Sequence, residues 1–167
     1  MANSRCGIYF NHIQRVVILY GDVPFLTVGT IEALIGFHEK EKCDISTLTV
    51  ESPRPWGYGR ALLDAKGMIR KIIEEVDATE EEKEIRLVNT GIYCVEKGFL
   101  IEALSKLKPK NAQNEYYLTD IIEIAYLNQR ISRPFISGNI EETNGINSMQ
   151  DLSAAEAGFK KKKAKIS

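Results

Sequence analysis

An α/β fold, with at least some parallel strand pairs, is what this chain predicts on three observations. Residues 16–20, VVILY, form a continuous apolar and mostly β-branched run closed by Gly21, the pattern of a strand covered on both faces as in a parallel sheet. Soon after it, Ile31, Leu34, Ile35 and His38 recur at helical spacing within Thr30–Lys42, with Glu39, Lys40, Glu41 and Lys42 on the other faces, as a crossover helix requires. Strand-like and helix-like stretches then go on alternating. At 167 residues, 44% of them hydrophobic, the chain is long enough for one domain with its own core.

The remaining elements follow in order. Ile45–Val50 is β-branched and reads as the next strand, ended by Pro53 and Pro55. Trp56-Gly57-Tyr58-Gly59 reads as a tight loop in which glycines let the backbone turn or approach another group closely. Ala61–Leu63 and Met68–Ile73 flank Asp64-Ala65-Lys66-Gly67, a four-residue hairpin signal. Glu74, Glu75, Asp77, Glu80, Glu81, Glu82 and Glu84 then crowd together with only Lys83 opposing them, which reads as a solvated acidic face. Val88–Val95 is a strand interrupted by Asn89-Thr90-Gly91, the mark of a bulge or of a ligand's close approach. Leu100, Ala103, Leu104 and Leu107 give a helix stopped by Pro109, and Leu118, Ile121, Ile122 and Ala125 give another. Arg133–Ser137 is a weak strand, Asn144-Gly145-Ile146-Asn147 a turn, and Ser148-Met149-Gln150-Asp151 a capping-box-like start to a last helix.

Charge and cysteine usage narrow the function. The 22 basic and 23 acidic residues nearly cancel, so a global basic field for nucleic acid is absent. Five of the lysines, Lys160 to Lys163 and Lys165, form a basic tail; without them, residues 1–159 hold 17 basic against 23 acidic residues, a net −6. No aromatic residue interleaves with those lysines, and residues 158–167 read as a disordered, solvated end. Cys6, Cys43 and Cys94 are odd in number and far apart, the usage of a reducing compartment. No apolar run approaches a membrane span and no secretory cleavage pattern opens the chain, so a cytoplasmic protein without membrane partners is expected.

Few residues carry a chemical signal by position alone. Asp22 follows the apolar strand and a glycine, at the carboxyl end where open α/β sheets bind ligands; it suits Mg²⁺, or a turn or N-cap role. Gly57-Tyr58-Gly59-Arg60 begins like a dinucleotide fingerprint, yet Leu62 stands in place of the third glycine and a hairpin follows, so a nicotinamide site is rejected. A P-loop is absent as well. His12, His38 and Cys94 have no partners in sequence and read as structural.

Six blocks together are more specific: LYGDVPFL, GYGR, IIEEVDAT, VNTGIY, NAQNEYYLTDII and GINSMQDLSAAE. In this order and spacing they closely resemble the uridylyltransferase domain of the bifunctional UDP-N-acetylglucosamine pyrophosphorylase and glucosamine-1-phosphate acetyltransferase family, over about residues 16–156. The resemblance implies a Rossmann-like nucleotidyltransferase fold with a mixed, mostly parallel sheet. It also implies a reaction of UTP with N-acetylglucosamine 1-phosphate that gives UDP-N-acetylglucosamine, a cell-wall precursor, and pyrophosphate. By the same resemblance Asp22 and Asn147 hold Mg²⁺, Gly59, Glu74 and Asn89 contact the sugar, and Tyr20 and Gly21 belong to the Asp22 site segment.

The departures carry expectations of their own. The family's opening strand, glycine-rich loop and lysine, which wrap the triphosphate, have no counterpart before Val16; residues 1–15 read as a divergent segment and 16–157 as a partial domain lacking that strand and loop. Asn114 stands where the family usually has glycine, and Ser148 and the longer SPRPW lead are further changes. Losing a phosphate-wrapping loop predicts an enzyme by family whose isolated chain is weak or inactive. The alternative is a non-catalytic module that binds a sugar nucleotide or complements a partner, with an open sheet edge beside Val16–Tyr20 available for self-association.

Overall fold

In the computed structural model, residues 12–109, 114–143, 145, 149, 152, 153 and 156 are described. The elements are β1 (Arg15–Ile18), α1 (Val28–Lys40), β2 (Ile45–Glu51), β3 (Arg60–Leu63), β4 (Ile69–Ile73), α2 (Glu80–Lys83), β5 (Leu87–Glu96), α3 (Lys97–Leu104), α4 (Asp120–Leu127) and β6 (Ser132–Ser137), followed by a 3-10 turn at Ile140–Thr143. Among the described residues no helix is long and apolar enough to cross a membrane. The lysine tail, Asn147, and Ser148, Gln150 and Asp151 of the expected helix start all lie outside the described residues.

The α/β class is as expected, and the strand directions correct one part of it. The sheet runs β4-β3-β5-β2-β6, with β1 also on β5, and among the described residues only the β2–β6 pair is parallel. The reason is an insertion. β1, α1 and β2 form the crossover unit that the apolar run announces, and β1 and β2 do point the same way, but the ten-residue β5 lies antiparallel between them. Local pattern records that β1 needs apolar residues on both faces; it does not record which strand becomes its neighbour.

Both faces of the sheet are covered. Tyr93 and Val95 of β5 join Ile45, Ile69, Ile72, Phe99, Leu100, Ile121 and Ile122 in the core beneath α3 and α4, while Ile92 and Cys94 join Leu34 and Leu48 beneath α1. Val16 and Ile18 pack toward the first cluster and Val17 toward the second, so β1 serves both layers. It is nonetheless only half-buried, and Leu19 and Tyr20 lie beyond its end and exposed, which corrects the fully buried strand expected over residues 16–20.

The punctuation residues do what their chemistry requires. Asp64 Oδ1 accepts from the backbone N–H of Lys66 and of Met68 at 2.9 and 2.8 Å, and Gly67 takes a φ of +74°, closing the β3–β4 hairpin. Thr79 and Glu82 form a capping box around α2, so part of the acidic block is a helix start. Asn114, where the resembled family carries glycine, holds a φ of +55°, a left-handed conformation that asparagine tolerates better than most residues. His38 is buried with its ring nitrogens 2.8 Å from Ser46 Oγ and 3.3 Å from Glu96 Oε1, pinning α1 to the sheet, the structural role expected of it.

Candidate functional site

The site grows from the way β5 is shared. Its Val88 pairs with Arg60 of β3, and its Tyr93–Glu96 stretch pairs with β1 along the same edge. Residues 89–92 fall between the two partners. On the opposite edge the β2 register slips from Thr47↔Tyr93 to Thr49↔Asn89, so Leu48 alone faces Thr90, Gly91 and Ile92. Thr90 Oγ1 donates to the Leu48 carbonyl at 2.8 Å and steadies this bulge. The bulge reading of Asn89-Thr90-Gly91 is met, and the bulge lies where chain segments meet.

Four segments converge on the gap. Tyr20 and Asp22 leave β1, Gly57–Gly59 enter β3, Glu74 leaves β4, and Thr143 and Gly145 follow β6; with Asn89, Thr90 and Gly91 they line a cleft of about 220 Å³. Of the residues anticipated from sequence, Tyr20, Asp22, Gly59, Glu74 and Asn89 thus share one wall system. Gly21 sits at the exposed turn between Tyr20 and Asp22 and is not part of the lining, and Asn147 lies outside the described residues.

Each wall is held by identifiable contacts. Asn89 takes the Gly59 carbonyl with its backbone N–H at 2.8 Å, donates from Nδ2 to Tyr93 Oη at 2.8 Å, and accepts the Gly91 N–H on Oδ1 at 3.1 Å. Its amide is thereby fixed in orientation beside the cleft. Gly59 must lack a side chain, since a Cβ there would lie 2.8 Å from Ile72 Cγ2 and 3.1 Å from Glu74 Oε2. Gly91 has a φ of +78° and the Tyr20 ring against it, with a hypothetical Cβ only 1.9 Å from the ring carbon Cε2. Both glycines let a side chain that lines the cleft lie directly on backbone.

Glu74 and Glu75 are neighbours with opposite environments. Burial holds the Glu74 carboxyl above the usual carboxylate range, the Thr119 hydroxyl donating to its Oε1 at 3.2 Å pulls the other way, and Asp77 and Asp120 add to the rise. Thr119 is the N-cap of α4 but makes no side-chain cap, its backbone being helical (φ −58°, ψ −23°) rather than extended. Glu75 instead meets Arg60 Nη2 at 2.6 Å and is held below the usual range by it. The Arg60 side chain is fully buried; its guanidinium also donates to the carbonyls of Tyr58 and Lys83, and Glu75 accepts the Gly57 N–H at 3.3 Å. A planar fork meeting several acceptors suits arginine. The acidic block is therefore not all solvated surface: its first two members face inward, one toward the cleft and one toward the loop beside it.

Thr119, Tyr93 and Arg60 carry no functional reading from sequence. GYGR contains Arg60 and NAQNEYYLTDII contains Thr119, but no local rule connects either to residues 15 to 45 positions away.

As to a metal, Asp22 and Glu74 are the carboxylates lining the cleft among the described residues, and no group of three or more His, Cys, Asp or Glu side chains is assembled there. A few hard oxygen donors suit Mg²⁺, which fills most of its octahedron with water and phosphate oxygens.

The cleft is walled by an oriented amide, carboxylates and backbone groups and lies beyond the end of β1, the position at which open α/β sheets bind ligands. Comparison with known proteins gives the family: residues 5–137 match the nucleotidyl transferase family model, and the chain belongs to that family. It is 43% identical over 143 residues to the bifunctional protein GlmU of Geotalea daltonii, covering 86% of this chain and 31% of that protein. It is also 43% identical over 150 residues to the same-named protein of Caldicellulosiruptor saccharolyticus, covering 88% and 32%. The chain thus spans about a third of the length of these curated relatives. Among solved structures, UDP-glucose pyrophosphorylase shares the fold with a TM-score of 0.60 at 19% identity, over 89% of this chain and 55% of that one. A CMP:2-keto-3-deoxy-manno-octonic acid synthetase does so with 0.61 at 13% identity, over 90% and 64%.

Proposed function

We propose that this nucleotidyltransferase cleft serves uridylyl transfer to N-acetylglucosamine 1-phosphate. A phosphate oxygen of the sugar phosphate attacks the α-phosphorus of UTP, the α–β phosphoanhydride breaks, and pyrophosphate leaves with UDP-N-acetylglucosamine as the product. The observation that carries this reading is the convergence of Tyr20, Asp22, Gly59, Glu74 and Asn89, far apart in sequence, on one cleft. Glu74 accepts from sugar hydroxyls, Asn89 offers its oriented amide to the acetamido or ring hydroxyl groups, and Gly59, whose missing Cβ leaves room for Ile72 and Glu74, lets Glu74 stand at the cleft wall. Magnesium, when bound, would be held by Asp22 and Asn147 and would neutralise phosphate charge.

One observation favours a second reading, a module that binds the sugar nucleotide without turning it over. No lysine or arginine lines the cleft among the described residues, and transfer of a charged phosphoryl group depends on such neutralisation, with a single arginine worth roughly 10³ to 10⁵ in rate in related reactions. Calorimetric titration with UDP-N-acetylglucosamine, with and without magnesium, and a pyrophosphate-release assay with UTP and N-acetylglucosamine 1-phosphate separate the two. Magnesium-dependent binding with pyrophosphate release supports transfer, binding without release supports the module, and no binding sinks both.

A further inference from the structure

Glu142, in the 3-10 turn Ile140–Thr143, makes a set of contacts the cleft itself does not use. Its carboxylate accepts from Thr27 Oγ1 at 3.1 Å, from Thr30 Oγ1, from the Thr27 backbone N–H and, on the other oxygen, from Asn139 Nδ2 at 2.9 Å. These donors, Thr30 foremost, hold its carboxyl below the usual carboxylate range. Thr27 is the N-cap of α1, a 13-residue helix with no acidic residue in its first turn. The negative charge favoured at that helix end comes instead from a residue 115 positions along the chain.

The location of this contact gives it meaning. Asp22, which lines the cleft, stands five residues before Thr27; Thr143, which follows Glu142 directly, lines the same cleft with Gly145. The turn does not need Glu142 for its own closure, since Asn139 Oδ1 accepts the Glu141 N–H at 3.2 Å and Thr143 Oγ1 donates to the Ile140 carbonyl at 3.0 Å. We propose that Glu142 is a positioning residue that clamps the cleft-lining Thr143 to the start of α1, and so sets its spacing from the Asp22 segment of the same cleft, where the sugar phosphate would bind. The clamp touches no ligand. It rests on the sugar-phosphate reading of the cleft for its consequence, though its geometry does not.

The test uses the 167-residue chain with Glu142→Gln, which keeps the shape and removes the charge, and Thr30→Val, which removes one donor from the opposite side. Two measurements are made on each: the Kd for UDP-N-acetylglucosamine with magnesium, and amide hydrogen exchange across residues 139–145 against β5. The expected result is a Kd raised about tenfold for Glu142→Gln and severalfold for Thr30→Val, as loss of charge-assisted hydrogen bonds implies. Exchange at 139–145 should rise about tenfold while β5 stays protected, a local opening that a general loss of stability does not produce. Unchanged exchange at 139–145 in Glu142→Gln overturns the clamp whether or not the ligand binds. Faster exchange with an unchanged Kd overturns its role in the cleft. A wild-type chain that fails to bind counts against the sugar reading instead, and exchange alone then decides the clamp.

Discussion

Gly91→Ala tests whether the Tyr20 ring and the bulge of β5 are one unit. The new Cβ would start 1.9 Å from the ring, and ordinary contact begins at 3.4 Å, so the ring must retreat by about 1.5 Å or leave. Tyr20 is 48% exposed, so a ring of ~200 Å² gives up at most about 100 Å² of burial, worth up to about 2.5 kcal/mol. Alanine at φ +78° adds roughly 1–2 kcal/mol of left-handed strain. The expected destabilisation is therefore about 2–4 kcal/mol, which for this length lowers Tm by about 6–12 °C. Thermal and urea unfolding followed by circular dichroism measure it. The decisive comparison is the same change in a Tyr20→Ala background, where the clash is gone and only the roughly 1–2 kcal/mol of backbone strain remains. Equal costs in the two backgrounds would refute the ring contact as the reason for glycine at this position.

Three further outcomes follow from the same contacts. With its carboxyl held high by burial, Glu74 takes up a proton on acidification earlier than an ordinary glutamate. Affinity for N-acetylglucosamine 1-phosphate should hold at neutral pH and fall as pH drops through that raised value, whereas Glu74→Gln should bind more weakly with no such fall; matching pH profiles in calorimetry would exclude Glu74 from the contact. Arg60→Ala should cost about 3 kcal/mol in urea unfolding by stranding the Tyr58 and Lys83 carbonyls and the Glu75 carboxylate, and Arg60→Lys should recover less than half of it because an ammonium lacks the planar fork. Burial chiefly holds the His38 imidazole below its ordinary value, with Arg15 adding to this and Glu96 opposing it, so the unfolded chain binds the proton first. The stability this represents is present above the unfolded value near 6.5 and is lost as pH falls from there toward the folded value, by at most about 1.4 kcal/mol per pH unit. Melting curves between pH 7 and 5 should show that slope in the wild type and a shallower one in His38→Gln.

The sequence by itself determined the order and kind of most of the elements, because each depends on local physics; α2, inside the acidic block, was not among them. The apolar spacing of α1 and α4, the Asp64–Gly67 hairpin and the proline-ended β2 all follow from short-range rules. It also determined the family, through six blocks whose order carries more information than any one of them, and with the family the expected cleft residues Tyr20, Asp22, Gly59, Glu74 and Asn89. Tertiary structure decided what depends on long-range pairing. The antiparallel entry of β5 between β1 and β2 turned an expected parallel neighbourhood into a mostly antiparallel sheet, and the same strand, divided between β3 and β1, opened the gap that became the cleft. Similar chemistry likewise received different roles only on folding. Glu74, Glu75 and Glu142 are alike as acidic residues in the sequence, yet one is desolvated at the cleft, one neutralises a buried arginine, and one caps a helix 115 residues away, since burial and the nearest donor set a carboxylate's role and neither is a local property of the chain.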